Sequence, residues 1–74
     1  MNLFTVFAEH LDCQESDLRL IEQLPWDTAF IRSISEERYS VREWNDFLSY
    51  IFDRPMQFDR VPEAKEFLIA HKAE

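Results

Sequence analysis

The 74-residue sequence contains no glycine. That absence excludes glycine-rich phosphate loops and dinucleotide fingerprints, where the backbone must approach a ligand more closely than side chains permit. It also counts against β-hairpins with two-residue turns, which rely on the positive φ angles glycine adopts freely. Cysteine is nearly absent as well. With Cys13 alone, no internal disulfide can close and no zinc site built from cysteine pairs can form, and a single thiol fits a reducing compartment. No stretch approaches the ~20 apolar residues of a membrane-spanning helix. Met1-Asn2-Leu3-Phe4 lacks the basic start and long apolar run of a secretion signal, so a cytoplasmic location without membrane contact is expected.

Positive charge is scarce and scattered. Fifteen acidic and eight basic residues leave a formal net charge of −7. Arg19, Arg32, Arg38, Arg42, Arg54, Arg60, Lys65 and Lys72 stand singly along the chain. Phosphate backbones bind concentrated basic patches, so direct nucleic-acid binding is not expected. Apolar residues are plentiful, at 46%, with seven Phe, two Trp and two Tyr. A chain this short buries only about 60% of the surface it exposes when unfolded, so nearly every large apolar side chain is needed inside. Disordered segments are poor in such residues. Together these features predict one ordered, all-α domain over residues 1–74.

Leu3, Phe4, Phe7 and Leu11 recur at helical spacing behind Asn2, a good N-cap, and predict a helix over 3–11. Asp12 and Glu15 have the spacing of a capping box, with Ser16 as a rival cap. Leu18, Ile21 and Leu24, with Leu20 beside them, extend a second helix over 14–24, ended by Pro25. Asp27 caps a short helix that turns Phe30 and Ile31 inward, and Arg32 to Tyr39 reads as its end followed by a loop. Ser40 and Glu43 form a capping box, with Tyr39 and Trp44 at the positions of a hydrophobic staple. Trp44, Phe47, Leu48, Ile51 and Phe52 then repeat at three- and four-residue steps over 41–53, while Asn45, Asp46, Ser49 and Asp53 are expected to face water. A last helix begins around Pro62, with Ala64, Phe67, Leu68 and His71 as its inner face and His71 and Lys72 near its negative end. The central packing is expected between the Trp44–Phe52 stripe and Phe4, Phe7, Ile21, Leu24, Phe30, Phe67 and Leu68.

Little in this chain points to catalysis. His10 and Cys13 lie three apart, but two ligands are too few for a metal, and a surface histidine with a half-buried cysteine is the simpler reading. Acid–base carboxylates need an apolar cleft that separates their pKa values, and a bundle this small has little room for one. The expectation is a protein with no enzymatic activity, cofactor or metal. Two surface features remain. Glu36, Glu37, Glu43, Asp46 and Asp53 would form one negative face, either an ordinary solvated surface or an imitation of a phosphate backbone; Arg38, Arg42 and Arg54 interrupt it. Trp26, Met56 and Phe58 fall in predicted turns, where they either close the end of the core or form a docking patch for another protein.

The Phe4-x-x-Phe7 helix, Asp27-Thr28-Ala29-Phe30, a serine-led helix with Trp44 and Leu48-Ser49-Tyr50, and a last helix on Ala64 and Phe67 form a loose, mainly hydrophobic pattern. In it the chain resembles the YozE-like group of small bacterial proteins. Ile31 stands where that group usually has proline, and Arg32–Tyr39 is a long connection. The resemblance implies a compact sterile-alpha-motif-like bundle of four to five short helices and carries no activity with it. The expected function is a small acidic protein-interaction module, an adaptor or regulator. The alternative is a nucleic-acid-mimicking inhibitor of a nucleic-acid-binding protein.

Overall fold

A computed structural model of the chain describes residues 2–20 and 24–72. Among these the elements are α1 (Leu3–His10), a 3-10 turn (Glu15–Arg19), α2 (Thr28–Ser33), α3 (Val41–Phe52) and α4 (Val61–Lys72), with no strand. The radius of gyration is 11.0 Å, as expected for a compact chain of this length (about 11 Å). The all-α bundle read from the sequence is the one observed.

Each helix start has a local cause. The Asn2 side chain accepts from the Thr5 N–H at 2.9 Å, and Asp27 from the Phe30 N–H at 3.3 Å. The Ser40–Glu43 capping box is complete: Ser40 Oγ accepts from the Glu43 N–H (3.2 Å) and Glu43 Oε2 from the Ser40 N–H (2.8 Å). Pro62 occupies the first turn of α4, where its missing N–H costs no helical bond.

The helix ends are less usual. At the end of α1, Cys13 N–H donates to Ala8 O (2.9 Å) and Asp12 N–H to Glu9 O (3.3 Å). At the end of α3, Arg54 N–H donates to Ser49 O (3.2 Å) and Asp53 N–H to Tyr50 O (3.3 Å). Both are Schellman motifs, which require a left-handed residue just past the helix, most often glycine. Having no glycine, the chain places aspartates there, Asp12 at φ 55° and Asp53 at φ 54°.

This corrects the expected second helix. Asp12 terminates α1 in the left-handed region and so does not begin the next element. Glu15 sends its carboxylate to the Thr5 hydroxyl (3.1 Å), and Gln14 precedes the turn with no side-chain cap bond. Without a cap the segment makes only the 3-10 turn Glu15–Arg19, and Leu20 is 50% exposed. The part of the predicted helix over 21–23, including the core assignment of Ile21, lies outside the described residues.

α3 is the central element, packed against α1, α4 and the 3-10 turn, while α2 packs on α4. Trp44, Phe47, Leu48 and Ile51 are buried together with Leu3, Phe7, Leu18, Ile31, Tyr39, Ala64 and Leu68. Phe47 stacks on Phe7, with ring centroids 4.7 Å apart. The indole N–H of Trp44 is buried and, among the described residues, has no hydrogen-bond partner. Phe4, Leu24, Phe30 and Phe52, expected in the core, are half-buried against it.

Candidate functional site

Four placements depart from the sequence reading, and they define the surface around α3 and α4. Asn45 and Ser49 were expected to face water. Instead their side chains clamp the segment before α4. Asn45 Nδ2 donates to Phe58 O (3.1 Å), and Phe58 N–H donates to Asn45 Oδ1 (2.8 Å). Ser49 Oγ accepts from the Met56 N–H (2.9 Å) and donates to Met56 O (3.3 Å). Positions four apart on a helix stand above one another, so the two side chains satisfy the backbone of two loop residues spaced two apart. Met56 and Phe58 are thereby fixed, half-buried, against the core.

Phe67 and His71 also depart. Both were expected on the inner face of α4. The buried residues of that helix are Val61, Ala64, Lys65 and Leu68, a stripe rotated away from Phe67. Phe67 is half-buried outside the core cluster. Its ring meets Phe52 (5.2 Å), Phe58 (5.3 Å) and His71 (4.1 Å, stacked). His71 is exposed, with Nδ1 2.9 Å from Phe67 O. The result is an aromatic cluster of Phe52, Phe58, Phe67 and His71 at the α3–α4 surface, beside the clamped loop.

Trp26 belongs elsewhere. It packs on Phe7 at 5.6 Å, in a second ring network that runs through Phe4, Phe30, Trp44, Phe47 and Tyr50. Its contact with Phe7 places Trp26 in that network, whereas Phe58 meets Phe67.

The five acidic candidates have unequal surroundings. Glu43 is committed to its capping box. Asp53 pairs with Arg19 at 2.9 Å, both side chains being largely solvated. Glu36 borders a depression shared with Arg32, Lys65 and Glu66, and the Glu37 N–H is held by Ser35 Oγ (3.3 Å). Among the described residues, the carboxylates of Glu36, Glu37 and Asp46 make neither an ion pair nor a hydrogen bond.

His10 and Cys13 do not share a helix face, because α1 ends between them. The His10 ring lies flat on Phe30 (3.7 Å, 5°), and its Nε2 is 3.5 Å from Asp27 Oδ2. Burial pushes the Cys13 thiol above its ordinary pKa, with the Asp17 and Asp12 carboxylates adding to the effect. A thiol so placed is protonated, and a poor nucleophile, at neutral pH. Among the described residues no group of three or more His, Cys, Asp or Glu side chains is placed to hold a metal ion, and no helix is long and apolar enough to cross a membrane.

Lys65 was read only as one scattered cation. It is buried, 7% exposed, and donates to Ile34 O (2.6 Å) and Arg32 O (3.4 Å). It thus satisfies carbonyls at the C-terminal end of α2, where a positive charge is favoured. No local pattern announces this, since its partners lie 31 and 33 residues away.

No family model matches the chain, and no curated protein or solved structure matches it either.

Proposed function

We propose that this chain is a non-enzymatic protein-interaction module of the cytoplasm, an adaptor or regulator that docks through the α3–α4 aromatic surface. The observation that carries the reading is the position of Phe67. A large aromatic residue stands outside the core on a well-formed helix, among three other rings, beside a loop whose backbone is clamped in place. Half-exposed aromatic clusters on rigid elements are the usual anchors of protein interfaces. Phe58 belongs to the cluster and Met56 lies two residues before it; their fixed backbone means that little order would be lost on binding. Membership of the YozE-like group is part of the same proposal and rests on the residues quoted above.

A second reading has its own support. The unpaired carboxylates of Glu36, Glu37 and Asp46 suit an acidic face that imitates nucleic acid. Capture from host lysate, washed at low and high salt, separates the two, because electrostatic complexes weaken steeply with salt and apolar ones do not. Retention of a partner at high salt, lost on Met56→Ser with Phe58→Ser, supports docking. A partner that handles nucleic acid, released by salt and indifferent to those substitutions, replaces the docking reading with the mimic.

A further inference from the structure

Between α1 and the turn after α2 lies a groove of about 270 Å³. Its floor is Ile34 and Tyr39, both buried, and its walls are the half-buried Val6 and Phe30. Among the described residues Arg38 is the one charged side chain that lines it. The Arg38 guanidinium lies 5.8 Å from the centre of the Tyr39 ring, and its Nε donates to Tyr39 Oη at 3.4 Å. Tyr39 is itself 4% exposed, so the cation rests on a fixed support. Among the described residues Arg38 has no carboxylate partner. Its terminal nitrogens are left free, a fork that matches a carboxylate bidentately. Glu36 and Glu37 precede Arg38 in the chain, yet among the described residues no carboxylate lines the groove. In a protein of net charge −7, this apolar groove therefore presents a single positive charge.

We infer that the groove binds the C-terminal residue of a partner protein, with an apolar last side chain on Ile34 and Tyr39 and the terminal carboxylate on Arg38. The size of the groove favours a chain end. At about 270 Å³ it falls below the ~300–1,000 Å³ of sites for drug-sized ligands and has room for about one large side chain. At a chain end the carboxylate and the side chain leave the same Cα, so both fit this one depression. The inference rests on the reading of the chain as a protein-interaction module, but it uses a different surface from the Phe58–Phe67 cluster.

The test is an NMR titration of the full chain with N-acetyl-leucine and, separately, with N-acetyl-leucinamide, which lacks the carboxylate. N-acetyl-leucine is expected to shift Val6, Ile34, Arg38 and Tyr39 and to saturate at about millimolar concentration, as befits so small a ligand. The amide is expected to bind at least tenfold more weakly. Arg38→Gln, on an exposed turn, is expected to leave the circular dichroism spectrum unchanged and to bind the acid no better than the amide. N-acetyl-Asp-Leu-amide carries its carboxylate on a side chain and is expected to bind as weakly as the leucinamide. Equal binding of acid and amide, shifts mapping away from the groove, or discrimination surviving in Arg38→Gln overturns the site. Equal binding of the Asp-Leu amide and N-acetyl-leucine overturns the chain-end assignment. The titration needs no native partner, so its failure is separate from a failure of capture through Met56 and Phe58.

Discussion

Replacing Asp12 by glycine should make the protein more stable, although the exchange removes every side-chain atom beyond Cα. Asp12 is held at φ 55° by the motif that closes α1. A left-handed conformation costs an L-residue roughly 1–2 kcal/mol, and aspartate is near the lower end because it tolerates that region. Its carboxylate also stands at the negative end of α1, an arrangement unfavourable by about 0.3–1 kcal/mol. Against these stands the larger entropy of glycine in the unfolded chain, roughly 0.5–1 kcal/mol. The balance is a gain of about 0.5–1 kcal/mol, which for a domain of this size raises Tm by ~2–8 °C. Asp53 provides an internal comparison. It has the same backbone geometry (φ 54°) but is 2.9 Å from Arg19; losing an exposed pair of that kind costs about 0.2–1 kcal/mol. Asp53→Gly should therefore gain less than Asp12→Gly. Thermal melts followed by circular dichroism measure both, with Asp12→Ala as control, since alanine removes the charge but keeps the Cβ. A lower Tm for Asp12→Gly, or an equal rise for Asp12→Ala, refutes the assignment of strain to the left-handed backbone.

Other consequences can be measured on the same material. Phe47→Ala empties a fully buried ring position in the centre of the core and should cost ~3–5 kcal/mol; a melt unchanged by it contradicts the packing described. Lys65→Met keeps the aliphatic stem but strips the donors from Ile34 O and Arg32 O, so a loss of about 1–3 kcal/mol is expected in denaturant titration, and no loss would deny the capping role of the ammonium. The raised pKa of Cys13, caused first by burial and then by Asp17 and Asp12, keeps the thiol protonated at neutral pH. Its alkylation by iodoacetamide should be slower than that of a free cysteine near pH 7.5 and should still climb at pH values where an ordinary thiol has already ionised; a rate that levels off at lower pH than for the free amino acid contradicts that environment.

Much of the fold was legible because its causes are local. Ser40, Glu43 and the Trp44–Phe52 stripe lie within one segment, and α3 follows from them without reference to the rest of the molecule. Asn2 and Asp27 announce α1 and α2 in the same way. The helix ends were harder to see, because the usual marker is glycine and this chain uses aspartate; Asp12 therefore resembled the start of a helix while serving as the end of one. The candidate surface was only half legible. Met56 and Phe58 stood out as aromatic or apolar residues in a turn, but the Asn45 and Ser49 clamp depends on a loop returning across the polar face of α3, and helical periodicity carries no sign of that return. Phe67 was assigned to the core from its spacing with Ala64 and Leu68. The buried stripe of α4 instead runs through Val61, Ala64, Lys65 and Leu68, because a lysine with distant carbonyl partners takes an inward position that hydrophobicity alone would deny it.

The most direct test of the proposed docking surface is a titration of the ¹⁵N-labelled chain with a partner recovered from the host at high salt, followed residue by residue. The shifted resonances are expected to cluster on Phe52, Met56, Phe58, Phe67 and His71. Shifts confined to Glu36, Glu37 and Asp46, with the aromatic cluster unmoved, would contradict the docking surface.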